Sequence, residues 1–233
     1  MSAPFRFKQF EIRQERAPMK VGTDGVLLGA WAEGGKRILD IGTGTGLLAL
    51  MMAERFVDAE VVGIDINPDA ILDATENVQR SSFCERINIK QCALQAYDDL
   101  PFDAIICNPP YFVRSLKSPD CGRSEARHTD TLGIGELVAN SRRLLTEGGV
   151  LGVILPHSAE EEFLGIVRSN SFGIRRIMRI RPTVNAAFKR VMIQAVRGYE
   201  GKPLIDEMFI EKARHIYSDE YKALTCDFYL DKQ

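Results

Sequence analysis

The chain has 233 residues, 45% of them hydrophobic, enough to bury one good core as a single domain or two small ones. A formal charge of −2 leaves no global electrostatic footprint for nucleic acid, so a polyanionic partner has to be held by a local patch. Five scattered cysteines (Cys84, Cys92, Cys107, Cys121, Cys226) without a C-x-x-C pair argue for reduced thiols in a soluble cytoplasmic protein and against a disulfide framework or a structural zinc site; no apolar run approaches the ~20 residues needed to span a bilayer.

The element pattern begins irregularly. Phe5, Phe7, Phe10 and Ile12 predict a short extended segment whose alternation slips near Gln9, followed by a loop over 18–25 and a short apolar helix over 26–31. Residues 36–41 then form an apolar strand carrying Asp40, Gly42-Thr43-Gly44-Thr45-Gly46 turns the chain, and good helix formers fill 47–56. A β-branched strand over 60–64 ends on Asp65; Asn67 is placed to cap, and Pro68 to open, a helix reaching Arg80. Residues 87–92 and 102–107 are the third and fourth strands. A helix over 131–146 closes at Gly148-Gly149 before a strand at 150–155. Ser158 is placed to cap a helix over 159–170, with Glu160, Glu161 and Glu162 in the first turn, where the helix dipole favours them. Two last strands, 174–181 and 191–197, are joined by the loop 182–189, too short for a crossover, so they run antiparallel. The expectation is an α/β fold: a Rossmann-like, seven-stranded, mostly parallel sheet with a C-terminal antiparallel hairpin and helices on both faces. No linker, repeat or low-complexity tract divides it, so 1–32 reads as an N-terminal extension and 33–233 as the core of one domain.

Two stretches carry chemistry. Asn108-Pro109-Pro110-Tyr111 follows the fourth strand, where two prolines end the ladder and leave the carbonyls of Asn108 and Pro109 to other donors. An amide oxygen, a backbone carbonyl and an aromatic ring so close together suit a planar group bearing an NH2, such as adenine; a plain strand-ending turn is the simpler reading. Upstream, Gly42, Gly44 and Gly46 lie between a strand and a helix, and Asp65 ends the next strand, where an acid suits ribose hydroxyls. The G-x-G-x-G spacing departs from the G-x-G-x-x-G of nicotinamide cofactors. Asp40, just before the glycines, fits a pyrophosphate poorly and suits a ligand with cationic groups, such as the ammonium and sulfonium of S-adenosylmethionine. Capping of the turn is the alternative for Asp40.

With both stretches present, the chain resembles the class I S-adenosylmethionine-dependent methyltransferases of the N-P-P-Y group, which methylate amino or amide nitrogens. Phe7-Lys8-Gln9-Phe10, Met19-Lys20-Val21-Gly22-Thr23-Asp24-Gly25 and Leu27-Leu28-Gly29-Ala30-Trp31 resemble the N-terminus of the bacterial tRNA1(Val) (adenine-37-N6)-methyltransferases. Tyr217-Ser218, Tyr221, Ala223-Leu224-Thr225 and Phe228-Tyr229-Leu230 resemble their C-terminus. The resemblance implies S-adenosyl-L-methionine as cofactor, held by Lys20, Thr23, Asp40, Gly42, Gly44, Gly46, Asp65, Ile66, Cys92, Ala93 and Asn108 under the N-terminal extension, with Lys20, Thr23 and Asp24 at its methionine end; a turn sealing the sheet edge is the alternative for that loop. Ala93 stands where such enzymes usually carry an acid facing the cofactor's adenine, which leaves that contact to backbone groups, to Cys92 or Gln91, or to apolar packing. The resemblance further implies N6-methylation of a tRNA adenosine by a catalytic turn of Asn108, Pro109, Pro110 and Tyr111. Asn108 Oδ1 and the Pro109 carbonyl would accept the two amino hydrogens, while Tyr111 and Phe112 stack on the base. Positioning and electrostatics then supply most of the rate, and no strong general base is required.

From Arg168 to Arg197 the chain carries no acid, while Arg168, Arg175, Arg176, Arg179, Arg181, Lys189, Arg190 and Arg197 are basic. Lys189 and Arg190, at the loop expected on the Asn108 edge, are candidate tRNA contacts, with a solvated strand face as the alternative. Arg114 and Arg127, with Lys117, Arg123 and His128, form a second basic group in a long loop that reads as a lid closing on RNA. His128, His157 and His215 are scattered, and no metal site is expected. Three rival readings remain: ribosomal RNA bases as targets, a glutamine amide of a release factor as target, and an idle cofactor-binding module. Release-factor enzymes carry a helical domain before the cofactor motif, and DNA adenine methyltransferases add a target-recognition domain; neither is expected here.

Overall fold

The computed structural model describes residues 3–109 and 132–230. The chain opens on a hairpin of β1 (Phe5–Arg6) and β2 (Glu11–Ile12), closed by the Phe7 amide donating to the Phe10 carbonyl at 2.9 Å. The slip at Gln9 is thus a turn, and it lets Phe7 and Phe10 stack with ring centroids 4.7 Å apart inside the core. Helix α1 (Thr23–Trp31) lies on α2 (Leu47–Arg55), which follows β3 (Arg37–Ile41). The two helices approach closely because Gly29 has no side chain: a Cβ there would fall 2.5 Å from Met51 Sδ.

The units that follow are β4 (Glu60–Asp65), α3 (Pro68–Gln79), β5 (Ile87–Gln91), β6 (Phe102–Cys107), α4 (Ile134–Leu144), β7 (Leu145–Pro156) and α5 (Glu160–Ser169). After them come β8 (Phe172–Thr183), β9 (Arg190–Arg197), β10 (Leu204–Ala213), β11 (Ile216–Tyr217) and α6 (Asp219–Thr225). Asn67 Oδ1 accepts from the Asp69 and Ala70 amides at 2.8 and 3.1 Å and Pro68 opens α3, as the sequence predicts. Ser158 does not cap α5. The chain instead takes a short 3-10 turn over His157–Ala159, and no side chain caps the helix. Helix α4 also ends earlier than expected, at Leu144. Strand β7 already pairs Leu145 with Phe102, and the register shifts before Ala104 meets Val150, with Gly148 at φ +76° inside the irregularity. Gly148 therefore marks a bulge in a strand rather than the end of a helix.

The sheet runs β11-β10-β8-β9-β7-β6-β3-β4-β5. Strands β7, β6, β3, β4 and β5 are mutually parallel, and β9 is antiparallel to both β7 and β8, the expected C-terminal hairpin. The sheet has nine strands rather than seven, because β10 adds parallel to β8 and β11 completes that edge. Only Met208 of β10 is buried, so this edge strand lacks the apolar run by which buried strands announce themselves. Helices α1, α2, α3 and α6 cover one face with Trp31, Met51, Met52 and Val78, while α4 and α5 cover the other with Leu137, Phe163 and Val167. The carboxyl ends of β3, β4, β6 and β7 and the amino end of β9 share one edge, where Pro156 pairs with Arg190. Ligands of open α/β sheets bind at that edge.

Candidate active site

Gly42, Gly44 and Gly46 all hold positive φ, +69°, +56° and +82°, a region glycine enters without steric cost. A Cβ on Gly42 would meet nothing within 4 Å, so its backbone borders open space; one on Gly46 would only touch Ala74 at 3.4 Å, so its positive φ is what calls for glycine. The amides of Gly42 and Thr43 donate to the Ile64 carbonyl at 2.9 and 3.0 Å, and the Gly44 amide donates to Asp65 Oδ2 at 3.0 Å. Beneath the turn, Asp40 is fully buried; its Oδ2 accepts from Thr43 Oγ1 at 2.6 Å and from the Ala49 amide at 3.2 Å. Its Oδ1 has no partner among the described residues, and burial raises the carboxyl to about 7. Asp40 lines neither cavity described below. Its bonds are those of a cap for the turn, the alternative the sequence left open.

Residues 13–17 are clamped across the start of α2 by two polar side chains of α3 that face inward beside Ala70, Ala74 and Val78. Asp73, 1% exposed, accepts from the Arg16 and Ala17 amides at 2.9 and 2.8 Å and from Arg16 Nη1 at 2.8 Å. Asn77 accepts from the Arg13 amide at 2.8 Å and donates to the carbonyls of Arg13 and Thr45 at 2.8 and 2.9 Å. The strap they hold carries 18–25 over the turn. Sequence reasoning missed both residues, although an acid and an amide on the apolar face of an amphipathic helix were a usable signal.

Two cavities of about 760 and 510 Å³ meet at Met19, Gly42, Gly44, Asn108 and Pro109. The larger is walled by Asp65, Ile66, Cys92, Ala93 and Leu94, and also by Glu136 of α4, an acid in the cavity where position 93 lacks one. The smaller is walled by Lys20, Thr23, Asp24, Asn108, Pro156 and Arg190. Lys20 Nζ donates to the carbonyls of Gln14 and, at 3.1 Å, Ala17, and Arg190 Nε donates to Asp24 Oδ2 at 2.6 Å. No described residue hydrogen-bonds the Asn108 amide; Gly25 of α1 lies nearby, where a Cβ would fall 2.9 Å from Leu47 Cδ2. The buried Cys107 thiol is pushed far up, first by desolvation and then by Asp40 and Asp65, so it stays protonated and is no nucleophile. The donor set fits S-adenosylmethionine: a carboxylate for ribose hydroxyls, apolar walls for a base, an open glycine backbone and polar groups at the far end. Of the other expected site residues, Pro110, Tyr111, Phe112, Arg114 and Arg127, with Lys117, Arg123 and His128, lie outside the described residues.

The run that carries no acid in sequence is not free of acids in space. Arg175 pairs with Glu33, Arg179 with Glu160, Arg181 with Glu207, Arg190 with Asp24 and Arg197 with Glu147. Arg176 lies 4.8 Å over the Trp31 ring. Glu160 is buried and held by Arg179 at 2.7–3.1 Å instead of serving only the helix dipole. Most of this basic run therefore joins elements of the fold, and Lys189 stays exposed beside Arg190. Among the described residues no group of His, Cys, Asp or Glu could hold a metal ion, and no helix is long and apolar enough to cross a membrane.

The glycine turn, the acid ending β4 and a strand-end Asn-Pro over one trough define a methyltransferase, and residues 32–212 match the family model described as a methyltransferase domain. Solved structures share the fold: a predicted O-methyltransferase from Agrobacterium tumefaciens (TM-score 0.70, 19% identity, 88% of this chain and 96% of that one) and Pyrococcus horikoshii TYW2 in complex with MeSAdo (0.57, 15%, 82% and 69%). Curated relatives narrow the class. The tRNA1(Val) (adenine(37)-N6)-methyltransferases of Parabacteroides distasonis and Phocaeicola vulgatus are each 44% identical, over 97% of this chain and 97% of their own. That of Christiangramia forsetii is 41% identical, over 97% and 98%. The chain belongs to this tRNA1(Val) (adenine(37)-N6)-methyltransferase family.

Proposed function

We propose that the protein methylates N6 of an adenosine in tRNA, at position 37 of the anticodon loop of tRNA1(Val), with S-adenosyl-L-methionine as donor. The observation that carries the reading is the Asn108 amide, left without a described partner where the two cavities meet. When bound, S-adenosylmethionine supplies an electrophilic methyl group. Asp65 at the end of β4 would accept from the donor's ribose hydroxyls, Ile66 and Leu94 would offer apolar walls to its base, and Glu136 would take the place of the acid absent at Ala93. Lys20, Thr23 and Asp24 form the polar end under the strap, so the N-terminal extension covers the donor.

Asn108 Oδ1 and the Pro109 carbonyl accept the two hydrogens of the target amino group. Those bonds oppose delocalisation of its lone pair into the ring and aim the pair along the trough. The target base has to leave its stack, at a cost of a few kcal/mol that is smaller in a loop than in a duplex, and stacking on Tyr111 offsets it. No strong base is needed, since the proton leaves the nitrogen after that nitrogen becomes cationic. The protein acts in the cytoplasm, where its substrate is.

Purified protein incubated with labelled donor and bulk tRNA, ribosomal subunits or release factor is the test. Label in tRNA1(Val) as N6-methyladenosine is expected, and label only in another acceptor would overturn the reading.

A further inference from the structure

Beyond the cavity wall made by Pro156 and Arg190, three planar side chains meet. The Arg181 guanidinium lies 4.1 Å over the Phe188 ring, and the His157 ring sits 5.3 Å from it at an interplanar angle of 34°. The group is tied to the cavity by backbone: the His157 amide donates to the Lys189 carbonyl at 3.1 Å, and the Lys189 amide to the Ile180 carbonyl at 2.9 Å. His157 and Lys189 each adjoin a residue of the cavity wall, so the platform starts one residue, about 3.8 Å of chain, outside it. His157 and Arg181 keep 39% and 33% of their side chains exposed, Phe188 is half-buried, and Lys189 is exposed. Glu207 pairs with Arg181 at 2.6 Å, and Glu160 Oε2 lies 3.3 Å from His157 Nε2, so both planar groups have an acidic neighbour in the chain itself.

We propose that His157, Phe188 and Arg181 form a stacking platform for the nucleotide next to the methylated adenosine, with Lys189 on its phosphate. Partly exposed planar groups beside a cation match single-stranded nucleic acid, whose bases all present a π face. The platform would hold the neighbour while the target base enters the trough, making these residues substrate-binding rather than catalytic. The inference rests on the RNA-methylation reading.

The test uses the full chain and tRNA1(Val), wild type or with an abasic site on either side of the target. Phe188→Ala and Phe188→Leu are expected to raise the KM for tRNA about tenfold, the scale of one lost base stack, while Phe188→Trp retains wild-type KM. The affinity for S-adenosylhomocysteine and the melting temperature should stay at wild-type values. An abasic neighbour should cost the wild type the same factor and cost Phe188→Ala nothing more. Full additivity of the two changes, or an unaltered KM in both Phe188→Ala and Phe188→Leu, would overturn the platform and leave the function reading standing. A wild-type protein that leaves every tRNA unmethylated would overturn the function reading and this inference with it.

Discussion

The two halves of the trough are built on opposite plans. In the donor half the polar groups are committed to the chain itself: the Gly42 and Thr43 amides to Ile64, the Gly44 amide to Asp65, and Thr43 to Asp40. Asp73 and Asn77 fasten the strap above it. In the acceptor half, Asn108 keeps its amide free of described partners, and Lys189, beyond the Pro156–Arg190 rim, is exposed. On the proposed reading, a donor site tied up by the chain's own hydrogen bonds beside an acceptor site with a free amide would place the reaction's selectivity in the second. Preorganisation of the first spares reorganisation during transfer.

Removing the acceptor's free amide should break the contrast most severely. Asn108→Ala is expected to lower single-turnover methylation at least about a hundredfold, comparable to losing one preorganised polar group at a reacting centre, with S-adenosylhomocysteine affinity nearly intact by calorimetry. Equal losses in both readouts would erase the distinction between the halves. On the donor side, Asp73→Ala leaves the buried Ala17 amide and the part-buried Arg16 amide without their acceptor. A loss of about 2 kcal/mol of stability is expected in denaturant unfolding, accompanied by weaker donor binding, with Asp73→Asn intermediate. Glu136→Gln sharpens the comparison further: a donor dissociation constant about fivefold higher, the weight of one hydrogen bond, with the KM for tRNA unchanged.

The smallest effect is on pH dependence. Folding holds a proton on Asp40, and on Glu54, up to about pH 7, against ordinary values of 3.8 and 4.5. Desolvation is the main cause for both, with Asp227 adding to it at Glu54. The folded chain therefore binds more protons than the unfolded one across that interval, and this contribution to stability fades as pH rises from ~4 to ~7. Melting temperatures of Glu54→Gln and Asp40→Asn should show a shallower decline over that range than wild type; parallel curves would refute the assignment.

The difference between the halves also explains which residues could be read in advance. Asn108-Pro109, the glycine turn and Asp65 are local signals: each is a turn or strand end whose backbone demands particular residues within a few positions. Asp73 and Asn77 leave only a weak local trace, two polar residues on an apolar helix face, because the backbone they hold comes from far along the chain; Glu136 reads locally as the partner of the Gly133 amide at the start of α4, and only the fold brings it to the cavity. The same separation misled the reading of charge. Residues 168–197 are acid-free only along the backbone, while Glu33, Asp24, Glu147, Glu160 and Glu207 reach them through the fold.

By itself the sequence determined the order of strands and helices from β3 to β9, the glycine turn that follows β3, and the position of Asn108-Pro109 at the end of β6. Hydrophobic periodicity and backbone sterics act over short spans and leave their mark in neighbouring residues. Only the tertiary structure decided that Asp40 lies under the turn, that α3 ties down the N-terminal strap, and that β10 and β11 extend the sheet. These rest on burial and hydrogen bonding between distant segments, whose energies depend on where the chain brings them together.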